Sequence, residues 1–497
     1  MREIITLQLG HLSNYTATHF WNAQESYFTY DGQDESLIDH NVHWRAGIGQ
    51  DGADTFLPRT VIYDLKGGFG SLRKINDLYD VTSTESTVTA HSLWRGKSAV
   101  HKQQVIEQSD YQQSLDEGTT RPQLTEHSVR YWSDFSHAYY HPKSLVQLYD
   151  FELNSTIRPF ERFAMGTELF DALDREHDII DRDWRPFVEE CDLMQGVQVF
   201  TTLDDAWGGF ASSYLEELRD EYPKSCLWVW GLQNPLANVP REKRQLRLAN
   251  TAQCLSNACP LASMVVPLSL PETQLPLHLA VEPGSPWHVS ALLSAAAETA
   301  AIQSRMRVGQ GNSPASLSDV AEGLNTSGNQ TLASCAMDVG HHADEGDRST
   351  LDLDLFRVGR EANAAPGTDE ARGRIFGQLS SYRGTSEPLI EEKGAPTPRP
   401  LPGNPHVRRF NTRLQFPLLD SYPHIYKDAS STQPGISIRT VLSTTTAISA
   451  RISTLRAQVS RSVVVEEREN LSNGLAVIAD AYRDDWSSGS DEDNDDM

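Results

Sequence analysis

The chain has 497 residues, of which 38% are hydrophobic and 22% charged, with a formal net charge of −25. That is enough apolar material for a sizeable core interrupted by polar insertions. The acidic balance disfavours direct nucleic-acid binding, because like charges repel a phosphate backbone.

Five cysteines, Cys191, Cys226, Cys254, Cys259 and Cys335, are scattered and odd in number, so no disulfide framework is implied. Cys254-x4-Cys259 lacks a second ligand pair, and no metal site is expected there. His341-His342 lies in a polar stretch and reads as solvated. There is no apolar run of about 18 residues, hence no expected membrane span. Residues 1–25 hold one arginine, Arg2, and two acids, Glu3 and Glu25, a poor mitochondrial presequence.

In chain order, Ile5, Leu7 and Leu9 alternate with more polar neighbours, which predicts a strand ended by Gly10. Ser13 or Asn14 is expected to cap a following helix that buries Phe20-Trp21. Residues 22–57 read as a loop with little regular structure. Arg59–Leu65 is a second strand with Asp64 near its end, and Lys66–Gly70 is a turn. Residues 82–127 read as an insertion or mobile loop.

Thr167–Asp181 has helical spacing, and Val197–Phe200 reads as a strand. Asp204–Phe210 is predicted to be a turn, Ala211–Tyr222 a helix, and Cys226–Trp230 another strand. This is a βαβ unit, so a parallel sheet is expected. Trp228 and Trp230 are core candidates. Arg241–Arg247 reads as a solvated basic helix face.

His288–Met306 is predicted helical. Residues 308–348 read as disordered or looping. Residues 391–406, with five prolines, read as a linker. Arg409–Ile425 is expected to be strand-like, and Asp352-Leu-Asp354 alternates like a strand with its acids toward solvent. Ile448, Ile452, Leu455 and Val459 mark one face of a late helix, and 487–497 is an acidic tail. No P-loop, nucleophile elbow or HExxH motif occurs.

The opening residues MREI, Gln8, Gly10, Asn14 and Phe20-Trp21 resemble the start of tubulin. So do Pro58-Arg59 with Asp64-Leu65, Glu190-Cys-Asp-x-x-Gln-Gly196, Arg219–Pro223, and His288–Ala291, all in tubulin order. Val129-Arg-Tyr-Trp-Ser-Asp-Phe135 and His137–Pro142 resemble the Misato branch of the tubulin/FtsZ superfamily, the fungal mitochondrial-DNA-inheritance proteins. The resemblance implies an α/β fold: a tubulin/FtsZ-like Rossmann-type parallel sheet with a divergent second α+β region. The segments expected are 1–115 and 120–307, both tubulin-like, then 308–348 flexible, 349–486 divergent, and 487–497 acidic.

The resemblance also implies a role in partitioning mitochondria and inheritance of their DNA. It carries GTP as the one candidate cofactor, with Gly10, Asn14, Asp64, Gly208 and Gly209 as the remnant nucleotide-binding positions. The stretch matching the Gly-rich phosphate loop is Thr202–Ala211, where Asp204, Asp205 and Trp207 stand against an anion. His11 and Leu12 replace the glutamine and cysteine after the first glycine, and Lys66 replaces a magnesium-assisting acid. No acidic catalytic loop matches. The expectation is therefore a non-catalytic protein with no catalytic residues, no metal and no working cofactor; the alternative is an active or nucleotide-binding tubulin/FtsZ-like GTPase that assembles at mitochondria. Asp204 and Asp205 either cap the next helix, with Trp207 filling the vacated space, or face solvent. Expected partners are proteins: tubulin, a chaperonin or a mitochondrial-surface factor, with no nucleic acid and at most peripheral membrane contact. The expected location is the cytosolic face of mitochondria and the cytoplasm.

Overall fold

Strand β1 (Glu3–Leu9) is buried along its whole length, polar residues included. The alternation that marks it in sequence suits a half-buried strand; here both faces are covered because β1 lies inside a sheet with helices on both sides. Two of its polar side chains are paired. Gln8 Nε2 donates to Thr60 Oγ1 at 2.8 Å, and Glu3 Oε2 accepts from the Leu193 amide at 2.9 Å.

The computed structural model describes residues 2–29, 35–48, 54–72, 106–236, 239–271, 275–307, 314–340, 350–353, 373–384, 405–427, 434–460 and 465–483. After β1 come α1 (His11–Glu25), a hairpin of β2 (Trp44–Ile48) and β3 (Asp54–Pro58), and β4 (Thr60–Lys66). Then follow α2 (Asp110–Glu117), β5 (Leu145–Glu152), α3 (Phe163–His177), α4 (Arg185–Glu189) and β6 (Met194–Thr202). Next are α5 (Ala206–Glu221), β7 (Cys226–Leu232), α6 (Arg241–Leu261), β8 (Met264–Leu268) and α7 (Pro286–Ala300). The first sheet runs β5-β4-β1-β6-β7-β8 and every pairing in it is parallel. The chain fills one side from β1 to β5, then crosses to fill the other from β6 to β8. The order therefore reverses between β1 and β6, and ligands of such sheets collect beyond the strand ends there.

The second region holds α8 (Leu317–Leu324), β9 (Ser334–Val339), β10 (Leu351–Asp352), β11 (Ile375–Arg383), β12 (His406–Thr412), β13 (Phe416–Pro417), β14 (Gly435–Ile436) and β15 (Ile438–Thr445). Its main sheet runs β10-β9-β15-β11-β12 and is antiparallel except for β11 with β12. Helices Ala447–Val459 and Val465–Asp480 pack back on α6.

Several expectations change. Residues 22–57 are not an irregular loop: α1 runs to Glu25 and a hairpin follows. Ser13 and Asn14 do not cap α1, whose N-cap is Gly10. Within 82–127, α2 is helical and capped by Ser109. Within 308–348, the flexible reading fails at α8, closed by a Ser316/Asp319 capping box, and at β9, an inner strand of the second sheet. Arg409–Ile425 holds most of β12 and all of β13, with irregular chain after them. Trp228 and Trp230 are core residues, and Ile448, Ile452, Leu455 and Val459 all face inward. Residues 391–404, His341-His342, Asp354 and 487–497 lie outside the described residues.

The two sheets meet across α1 and α7. The alanines of α7 at 291, 295, 296, 297 and 300 are buried, which lets neighbouring elements approach closely. In this dry layer sits Glu298, with no solvent exposure. Arg305 Nη2 donates to it at 2.6 Å, Tyr27 Oη at 3.0 Å and Gln24 Nε2 at 3.2 Å. Arg383 of β11, itself fully buried, donates to the other carboxylate oxygen and to Tyr27 Oη. The guanidiniums hold the Glu298 carboxyl below its usual range despite burial. Removing one partner of such a set leaves uncompensated charge in the core. Glu298→Ala should lose about 3–5 kcal/mol of unfolding free energy in urea. A loss under about 1 kcal/mol would mean that the network does not hold the sheets together.

Candidate functional site

Gly10 closes β1 at the point where the strand order reverses. Its φ is +94°, and a Cβ there would lie 2.5 Å from Cδ1 of Trp207, so only glycine fits. Trp207 stands in the first turn of α5 and is 4% exposed. Its indole packs edge-on against Phe160 at 5.3 Å between ring centroids and against Phe210 at 5.6 Å. Phe160 packs on Phe151 at 4.7 Å, and the Arg158 guanidinium lies 4.4 Å from the Phe151 ring centre. Aromatic side chains thus occupy the space through which a phosphate would reach the Gly10 backbone.

The glycines of the phosphate-loop match have another task. The predicted turn over Asp204–Phe210 ends early, because α5 starts at Ala206 and takes Gly208 and Gly209 into the helix. A Cβ on Gly209 would meet the Phe163 carbonyl oxygen at 2.0 Å, and one on Gly166 would meet the Ala206 carbonyl oxygen at 1.8 Å. These glycines let α3 and α5 touch backbone to backbone.

Asp204 is buried and Asp205 half-buried, each bonded within the chain, so the solvent-facing reading fails. Asp205 is the N-cap of α5 and accepts from the Trp207 amide at 2.9 Å, Thr202 Oγ1 at 2.5 Å and Asn234 Nδ2 at 3.2 Å. Its carboxylate takes the place of an anion at the helix N-terminus. Asp204 does not cap. It accepts from Asn234 Nδ2 at 2.8 Å and lies 3.6 Å from Arg247 Nε. Arg247 also donates to the Pro235 carbonyl at 2.9 Å, so this part of the basic run holds the chain after β7 rather than facing solvent. Burial, and then the neighbouring Asp205 charge, push the Asp204 carboxyl up to about 7 against the pull of Arg247 and Asn234.

Asp64 has no exposure. Its Oδ2 accepts from Asn14 Nδ2 at 2.9 Å and Trp132 Nε1 at 3.1 Å, and its Oδ1 accepts from the Leu65 amide at 2.9 Å. His11 Nδ1 stands 3.5 Å away. Asn14 is therefore a ligand of Asp64 rather than a helix cap. A Cβ on Gly68 would strike the Asp64 carboxylate at 2.3 Å, which fixes that turn as glycine. Trp132 belongs to the Val129–Phe135 motif, held in place by Asp134, which accepts from the Arg130 and Tyr131 amides at 2.8 and 3.0 Å.

The structure thus brings Gly10, Asn14 and Asp64 together, and places Gly208 and Gly209 inside α5, Gly209 against α3 and Gly208 against Cys254 of α6 and the chain just after β6. Trp132, Phe160, Asn234 and Arg247 complete the site. Their residue types announce no chemistry in sequence; only the motif around Trp132 and the basic run around Arg247 gave a signal. This set does not fit a bound nucleotide phosphate. An indole fills the approach, and two carboxylates occupy the donors that an anion would need.

A profile described as the Misato segment II tubulin-like domain matches residues 2–117, and one described as a tubulin domain matches residues 121–306. Protein DML1 of Gibberella zeae is 57% identical over the full length of both chains, and protein dml-1 of Neurospora crassa is 44% identical over the same span. The chain belongs to the Misato family. Protein misato homolog 1 of Bos taurus is 29% identical over 67% of this chain and 64% of the bovine one. In this Misato protein the two tubulin-like stretches supply the first sheet and α7, and both contribute to the Gly10 site: α1 and Asp64 from the first, Trp132 and α5 from the second.

Asp205→Ala should remove about 0.5–2 kcal/mol of stability as a lost helix cap, measured by chemical unfolding. No change would deny the cap. The Asp204 shift gives a pH test. Its folded value near 7 lies above the ordinary 3.8, so the folded state holds the proton and this contribution is lost as pH rises through 7. The melting temperature of Asp204→Asn should therefore fall less between about pH 5 and pH 8 than that of the parent. Parallel curves would refute the assignment.

Proposed function

We propose that this Misato protein is a tubulin-like body that works without nucleotide, as a non-catalytic interaction protein in partitioning mitochondria and inheritance of their DNA. The observation that carries the nucleotide-free part is the Trp207 indole seated on Gly10, where a Cβ would stand 2.5 Å from it. Asp64 and Asp205, each bonded within the chain, support it. The mitochondrial part rests on the likeness of Val129–Phe135 and His137–Pro142 to the fungal proteins of mitochondrial-DNA inheritance. Its partners are proteins of the class that a tubulin-like surface meets: tubulin, a chaperonin or a factor on the mitochondrial surface. None of the helices among the described residues is long and apolar enough to cross a membrane. The same reading has the protein act at the cytosolic face of mitochondria and in the cytoplasm, in peripheral contact.

Titration of GTP and GDP with magnesium should give no binding heat, and GTP turnover should equal that of buffer. Magnesium-dependent turnover lost in Asp64→Ala would reverse the reading in favour of an active GTPase. In intact mitochondria, protease added outside should digest the chain; survival until the outer membrane is opened would place it within.

A further inference from the structure

A surface cavity of about 350 Å³ opens at the start of α7 and shares no residue with the Gly10 site. Leu124, Thr125, Glu126 and His127 line it from the chain between α2 and β5, Trp287 and His288 from α7, and His424 from the chain between β13 and β14. Three imidazoles from three separate segments thus meet at one hollow. Its floor is fixed. Trp287 is buried and donates its indole N–H to the Ser421 carbonyl at 3.2 Å, while its own carbonyl oxygen stands 3.2 Å from His19 Nε2 of α1. Leu124 is buried too. A preformed apolar floor with a few polar groups on the wall is the usual form of a small-molecule site, and the volume falls in the range of such sites, roughly 300–1,000 Å³.

One bond sets the chemistry of the wall. The Glu282 amide donates to His288 Nδ1 at 3.3 Å, so that nitrogen keeps its lone pair and Nε2 carries the proton. Burial pushes the His288 imidazole down, against the pull of Glu126 and Glu282, which keeps the ring neutral at neutral pH. His288 therefore offers the hollow a donor, not the lone pair that a metal ion needs. Consistently, no group of three or more His, Cys, Asp or Glu side chains among the described residues is arranged to hold a metal. Glu126 Oε1 faces His288 Nε2 at 3.6 Å, too far for a hydrogen bond. The donor thus has a carboxylate before it without being bonded to it, and the exposed Glu126 side chain can swing aside.

We propose that this cavity binds a small carboxylate with an apolar body. The body lies on Trp287 and Leu124, and the carboxylate accepts from His288 Nε2 in the place that Glu126 now faces, beside the imidazoles of His127 and His424. Glu126 is the internal stand-in that the ligand displaces. The net charge of −25 opposes any anion, but charges beyond about 8 Å are screened at physiological ionic strength, whereas these donors act at contact. A bound ligand ties α7 to the chain after α2 and to the chain after β13, and so stabilises the meeting of the two sheets by mass action. The site stands apart from the nucleotide-free reading and does not depend on it.

Nuclear magnetic resonance of the full-length protein, labelled with nitrogen-15 in its histidines, tests this. The probes are benzoate and benzamide, which has nearly the same shape and no charge. Benzoate should shift the His127, His288 and His424 imidazole signals together, with a Kd of about 1 mM or tighter. Benzamide should bind about tenfold more weakly, having lost the charge-assisted bond. Glu126→Gln should bind benzoate about threefold tighter, because the internal competitor is gone. His288→Phe should bind it about tenfold more weakly. No common shift with benzoate, in the parent or in Glu126→Gln, would overturn the proposal. So would equal binding of benzamide, which would make the hollow an apolar dent, and so would zinc displacing the proton from His288 Nε2, which would make it a metal site. If His288→Phe loses its melting transition, that variant has unfolded, and benzamide with Glu126→Gln decides.

Discussion

Glu298 is a carboxylate shut away from water between two guanidiniums, and the two halves of the molecule meet on it. Charges in such a place cost several kcal/mol each to desolvate, and only close mutual bonding offsets that cost. The geometry is therefore all-or-none. α1 must present Gln24 with Tyr27 just beyond its end, α7 must present Glu298, and β11 must bring Arg383, or a charge is left unpaired. Apolar contacts alone would tolerate sliding between the sheets. This set does not, because hydrogen bonds and ion pairs fix both distance and direction. The Gly10 site lies at the other end of the same helix α1, so its position is set by the joint.

Where a parallel sheet reverses its order, helix N-termini point at empty space and want an anion. Here the want is met from within. Asp205 takes the start of α5, and Asp64 lies beside the first turn of α1, bonded by Asn14 and Trp132. The indole of Trp207 then fills the volume over Gly10. These are coupled choices. A carboxylate cap without the indole would leave a cavity, and an indole without the cap would leave bare amides beneath it. A nucleotide would have to break both at once.

Most of the first sheet was legible because each strand carries a short apolar run closed by a turn residue. The site positions Gly10, Asn14 and Asp64 were legible through their likeness to tubulin, but their tasks were not. Asn14 was read as a cap because polar residues near a strand end usually are; its bond to Asp64 crosses 50 residues of sequence, which no local pattern encodes. Gly208 and Gly209 read as a loop because glycine is a weak helix former. At Gly209 the α3–α5 contact overrides that propensity, since a side chain there would hit the Phe163 backbone. α8 and β9 were missed because a Gly/Ser/Asn-rich stretch hides a capping box and an inner strand only six residues long.

Replacing a ligand by side chains changes what the fold can do. A protein stabilised by bound nucleotide follows the ligand's concentration by mass action, and hydrolysis makes that stabilisation temporary. Side chains are always present and never spent, so under the nucleotide-free reading proposed above the Asp205 cap of α5 cannot act as a timer. Any switching must come through other groups. Of those described here, Asp204, whose carboxyl burial pushes up to about 7, is the group placed to respond to protons near neutral pH. Asp204 also bonds Asn234 in the chain after β7, next to α5, so a proton gained or lost there acts on the turn that replaced the phosphate loop.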